Sequence, residues 1–171
     1  MNQFVFSPNE STTKGITDSL KKIYKTPSPV IICVGSDLAV GDSLGPYIGS
    51  ELIKCHIKNT YVYGTLSHPI TAKEIGTVYK TIKNIHPKSK ILVIDAAVGN
   101  KEDIGVIKVT DKGIKPGLGV NKDLQLIGDV SIIGIVAEND NALNNILHTT
   151  RFSLIYKLSK IIVDGIMDYL S

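Results

Sequence analysis

Residues 30–34 read Val-Ile-Ile-Cys-Val and end at Gly35. A run this short, apolar and β-branched suits a strand buried on both faces, the kind a parallel sheet under helices requires. A polar loop follows, carrying Asp37 and Asp42, and Gly45-Pro46 leads into a predicted helix over residues 47–54. Proline suits a helix's first turn, where its missing N–H has no intrahelical partner to lose. Residues 91–94, Ile-Leu-Val-Ile, repeat the pattern and run into Asp95. In an open α/β sheet, ligands and chemistry gather beyond the carboxyl ends of such strands. One half of an active site is therefore expected around Asp42 and the other at Asp95.

The remaining segments fill in the same architecture. Residues 1–10 read as a loose leader. Residues 11–13 can cap a helix running to about Tyr24, with Ile16, Leu20, Ile23 and Tyr24 on one face. A short β-rich run, 60–63, is closed by Gly64. Thr71 and Glu74 have capping-box spacing ahead of Ile75, Val78, Tyr79 and Ile82, and His86-Pro87 ends that helix. Residues 90–96 and 130–137 are further buried strands. Residues 104–110 alternate apolar and polar, as an edge or half-exposed strand does. That strand follows Asp95 too closely for a helical crossover, so it is expected to be antiparallel. From Leu143 to Tyr169 a helical apolar stripe reaches the C-terminus, with Thr149-Thr150 as its point of interruption. The alternation predicts one domain, residues 1–171. Its architecture is a three-layer α/β/α fold around a mostly parallel mixed sheet, of the phosphorylase/hydrolase-like kind.

Composition narrows the function. The net charge is +3, and the lysines are spread through helices and turns. No clustered basic footprint supports nucleic-acid binding. No apolar stretch approaches ~20 residues, the span of a bilayer, and no secretory signal pattern opens the chain. A soluble intracellular protein is expected. Cys33 and Cys55 make neither a disulfide framework nor a metal knuckle. His56, His86 and His148 show no metal-binding spacing.

Asp42 and Asp95 are the candidate catalytic residues. Two carboxylates held close cannot both ionise cheaply, so one stays an acid while the other serves as a base. The base can activate water against an amide carbonyl, and the acid can protonate the leaving amine. Asp is also a favoured cap and turn residue, and the sequence leaves that reading open for both. Asp37 lies nearer the strand end, in what is also ordinary turn chemistry. His68, in a strand-to-helix loop, is a candidate for substrate binding or proton transfer. Gly117 and Gly119 lie in a Gly-rich loop, 113–121, that lacks the ending of a phosphate-binding loop. A flexible loop or a substrate-facing flap fits them.

Four stretches in order carry a family resemblance. They are Ile-Cys-Val-Gly-Ser-Asp-Leu-Ala-Val-Gly-Asp-Ser-Leu-Gly-Pro at 32–46, Gly-Thr-Leu-Ser-His-Pro at 64–69, Ile-Leu-Val-Ile-Asp-Ala-Ala at 91–97, and Asp-Lys-Gly-Ile-Lys-Pro-Gly-Leu-Gly-Val at 111–120. Together they resemble the germination-protease superfamily of spore-forming bacteria, and within it the short YyaC-type sporulation proteins. The resemblance implies an atypical aspartic-type endopeptidase. Asp42-Ser-Leu-Gly-Pro46 matches the setting of one catalytic Asp, and Ile94-Asp95-Ala96 that of the other. It also implies protein or peptide substrates, small spore proteins among them, and a place in the cytoplasm of the forespore or sporulating cell. Hydrogenase-maturation endopeptidases share the resemblance and add a nickel ion held with a His. No matching His follows Gly113 or the strand end at Ala137 in the expected loops, so no cofactor is expected, His68 being the one substitute ligand to propose. A divalent metal at Asp42 and Asp95 stays open. The apolar terminal helix allows a homo-oligomer or simply a buried packing face.

Overall fold

The computed structural model describes residues 2–9, 11–24, 29–116, 126–139 and 150–171. Six strands form one sheet: β1 (Gln3–Phe6), β2 (Val30–Cys33), β3 (Tyr61–Tyr63), β4 (Ile91–Gly99), β5 (Ile107–Thr110) and β6 (Val130–Glu138). Their order across the sheet is β1-β5-β6-β4-β2-β3. The pairs β3–β2, β2–β4 and β4–β6 are parallel, and β5 runs antiparallel to both β6 and β1. The apolar runs of β2, β6 and the first half of β4 are buried on both faces, as their composition requires.

Four helices make the outer layers: α1 (Thr12–Ile23), α2 (Leu44–Lys54), α3 (Ile75–Ile85) and α4 (Phe152–Leu170). Alternation along the strands divides the core in two. Ile31, Cys33, Leu92, Ile94 and Ile132 face α1, α2 and α4, whose Leu20, Ile48, Leu158 and Ile162 close over them. Val30, Ile32, Ile91 and Val93 face α3 through Ile75, Tyr79 and Ile82. The result is the expected α/β/α sandwich with a mixed sheet. The stripe of α4 is consumed in this packing, with Ile155, Leu158, Ile162 and Ile166 fully buried. No described helix is long and apolar enough to cross a membrane.

Two expectations need correction. Residues 1–10 are not simply a leader: Gln3–Phe6 form β1, which pairs with β5 along Gln3↔Thr110 to Phe6↔Ile107. Phe6 also lays its ring against Gly15 of α1, where any side chain would collide with it. With β1 on its outer side, β5 is the half-exposed strand of the two readings its alternation allowed, not the edge. The predicted helix over 47–54 starts earlier, at Leu44, and a short 3-10 helix, Val40–Ser43, precedes it.

Candidate active site

The chain leaves β2 at Val34 and Gly35 and doubles back through the 3-10 helix into α2. Gly35 has φ +138°, and a Cβ there would overlap the Asp42 carbonyl oxygen. The Ser36 N–H donates to that same carbonyl at 3.0 Å. The Ser43 hydroxyl donates to Val40 O at 2.7 Å and closes the turn. Leu44 is fully buried and fills the space above Gly134 of β6. Gly45 sits directly on the Val34 carbonyl, where a Cβ would overlap it. Ser43, Leu44 and Gly45 thus each have a physical reason, and together they hold the turn that carries Asp42 at the carboxyl edge of the sheet.

Asp95 reaches that edge from β4. Cys33 is the last residue of β2 in register with β4, opposite Ile94, so Asp95 is the first residue beyond the pairing. On its other side it stays in register with Ile133 of β6. Its side chain is buried, at 8% exposure, and Oδ1 accepts the Ala96 N–H at 2.8 Å. Asp42 is half-buried and caps no helix through its side chain.

The electrostatics separate the two acids. Burial pushes the Asp42 carboxyl up from 3.8 to about 6, partly opposed by the Ser36 backbone N–H. Burial raises Asp95 well above the ordinary range, the charge on Asp42 raises it further, and the Ala96 N–H pulls it down. The order follows from this. Asp42 ionises while Asp95 is still neutral and feels no repulsion from it. Asp95 must then ionise against a charge already present. Asp95 is therefore the member of the pair that keeps its proton to the higher pH.

The other candidates lie differently. Asp37 is exposed in the turn after β2, where Ser36 Oγ accepts the Leu38 N–H at 3.2 Å. His68 is exposed in a tight turn in which its N–H donates to Thr65 O at 3.2 Å. The loop carrying His68 does return to the same edge, since Gly35 donates to Ile70 O at 2.9 Å. Gly117 and Gly119 lie outside the described residues. Among the described residues no group of three or more His, Cys, Asp or Glu could hold a metal ion. Sequence reading missed the Ser36 N–H and the packing of Gly35 and Gly45. The spacing of those two glycines around Asp42 is the signal that points to them.

The family model described as "Protein of unknown function (DUF1256)" matches residues 5–165. The chain belongs to the DUF1256 family. Within this comparison, the "Uncharacterized protein YyaC" of Bacillus subtilis (strain 168) is 32% identical over 170 residues, covering 97% of this chain and 82% of that protein. The DUF1256 fold also resembles a solved structure, the [NiFe] hydrogenase maturation protease HycI from Thermococcus kodakarensis KOD1. That likeness has a TM-score of 0.56 at 13% identity and covers 89% of this chain and 99% of the other. At that identity the likeness shows a shared fold.

Proposed function

We propose that this protein is an endopeptidase of atypical aspartic type, with Asp42 as general base and Asp95 as general acid. The observation that carries the reading is the buried Asp95 at the sheet's carboxyl edge, its carboxyl pushed upward by burial and by the charge on Asp42. The protease-like fold and the resemblance to germination proteases support it.

Hydrolysis by this pair balances without a further co-reactant. The Asp42 carboxylate takes a proton from water, whose oxygen attacks the amide carbon, while Asp95 gives its proton to the carbonyl oxygen. The resulting diol collapses as Asp42 protonates the leaving nitrogen and the C–N bond breaks. Asp95 recovers its proton from a diol hydroxyl, and both residues return to their starting states. Substrates are proteins of the kind cleaved during sporulation or germination, small spore proteins among them, and the forespore or sporulating cell is the place of action.

The test is cleavage of spore-extracted protein by wild type, Asp42→Asn and Asp95→Asn. Loss of either group is expected to slow cleavage by roughly 10²–10⁴-fold, the usual contribution of a general acid or base. Circular dichroism should be unchanged. Cleavage by Asp95→Asn at the wild-type rate contradicts the assignment. Saturable binding of the extract without turnover by wild type would favour a partner-binding protein that keeps the site without its chemistry.

A further inference from the structure

The strand that carries Asp95 outruns its neighbour. β2 last pairs with β4 at Cys33↔Ile94, and Gly35 then turns the chain toward Asp42. β4 continues to Gly99, held on one side only, by β6. Among the described residues no strand pairs with its other side beyond Ile94.

The main-chain groups on that open side can be assigned. Val30 N–H donates to Lys90 O at 3.0 Å and Val34 N–H to Ile94 O at 2.8 Å, so even-numbered residues of β4 face β2. Asp129 N–H donates to Ile91 O at 2.8 Å and Asn139 N–H to Gly99 O at 2.7 Å, so odd-numbered residues face β6. The alternation holds from one end of β4 to the other. Ala96 and Val98 therefore face the track that β2 has left. The Ala96 N–H is bonded to Asp95 Oδ1. The Ala96 carbonyl and both main-chain groups of Val98 are presented outward, and the Val98 side chain is 39% exposed.

Exposed strand edges recruit other chains, and natural proteins blunt them with charge, proline or a covering element. Residues 96–98 are Ala-Ala-Val, with neither charge nor proline, and no described strand covers them. The two loops that leave β2 and β3 at the same edge each expose a leucine: Leu38, 85% exposed, and Leu66. We infer that the substrate's main chain docks as an added strand along the open side of β4 at residues 96–98, bringing its peptide bonds past Asp95. This deepens the peptidase reading and rests on it. The class of ligand is an unfolded or locally extended polypeptide with apolar side chains. Its backbone supplies the affinity and the exposed leucines supply the preference.

Main-chain capture tolerates sequence, so β-casein, an unfolded chain, is a sufficient probe. Amide hydrogen exchange is read by NMR on Asp95→Asn, with and without saturating β-casein. The Val98 amide is expected to exchange freely alone and at least roughly tenfold more slowly with casein, as a newly bonded N–H does. Ala97, whose N–H faces β6, is protected in both and serves as the reference. A Val98 rate unchanged by casein overturns the inference. Val98→Pro removes the outward N–H without touching the bonds to β6. It is expected to keep the wild-type circular dichroism spectrum and to bind casein roughly tenfold more weakly, the loss of about one main-chain hydrogen bond. Undiminished binding by that variant also overturns it. The two readings fail separately. Casein that protects Val98 but is not cut by wild type leaves the strand site and removes the peptidase. Casein cut by wild type with Val98 unaffected does the reverse.

Discussion

At the scale of single residues, the proposed chemistry rests on two acids of the same type placed in unlike surroundings. Asp95 is enclosed by strand, and Asp42 opens toward solvent from a turn, so burial acts more strongly on Asp95. Under the proposed mechanism that difference sets the pH profile of cleavage. Activity is expected to rise with a midpoint near pH 6 as Asp42 becomes a base, and to fall at higher pH as Asp95 loses its proton. Initial rates from pH 4 to 9 on a fixed protein substrate measure this. A flat profile across pH 5–7 would mean that Asp42 does not act as the base. That two Asp residues follow two apolar runs was readable in the sequence. The different burial on which their proposed roles rest was not, because it comes from which side chain the neighbouring elements cover.

At the scale of elements, the site depends on how closely α2 lies on the sheet. Gly45 rests on the Val34 carbonyl, and Gly49, one turn on, rests on the Gly64 carbonyl. Neither site has room for a methyl group. Gly45→Ala is expected to push α2 outward at a cost of roughly 1–3 kcal/mol, the usual penalty of overpacking. Because Asp42 is carried on the turn into α2, cleavage should fall by more than the stability loss explains. Urea denaturation and a rate measurement on the folded variant check both. This contact also explains why periodicity misplaced the start of α2. Local pattern sees the apolar face from Tyr47 on, whereas the first turn is fixed by Leu44 and Gly45 against strands distant in sequence. β1 escaped notice for a similar reason. Gln-Phe-Val-Phe is too short to signal a strand alone, and its partner β5 lies about a hundred residues away. The buried parallel strands were legible because burial on both faces leaves an unbroken apolar run. The Thr71–Glu74 spacing was realised in half: Thr71 N–H donates to Glu74 Oε1 at 2.8 Å, while α3 begins only at Ile75.

At the scale of the whole molecule, the buried acids cost stability. A carboxyl whose folded pKa lies above its unfolded value binds more protons when folded, so stability falls as pH rises between the two values. For Asp42 that interval runs from 3.8 to about 6, and for Asp95 it extends higher. Thermal unfolding is expected to weaken through this range. Asp95→Asn, neutral at every pH and still able to accept the Ala96 N–H, should melt above wild type at pH 7, with the gap closing toward pH 4. A lower melting temperature at pH 7 would mean that Asp95 is held ionised by a partner. The open side of β4 belongs to this scale too, and register, not residue type, reveals it. The most direct measurement is a carboxyl ¹³C titration of Asp42 and Asp95 in wild type and in Asp42→Asn, which needs no substrate. Asp42 should titrate near 6, Asp95 should titrate above it, and the Asp95 midpoint should drop when Asp42 is replaced. Two independent titrations near 4, with Asp95 indifferent to residue 42, would contradict a shared acid–base pair.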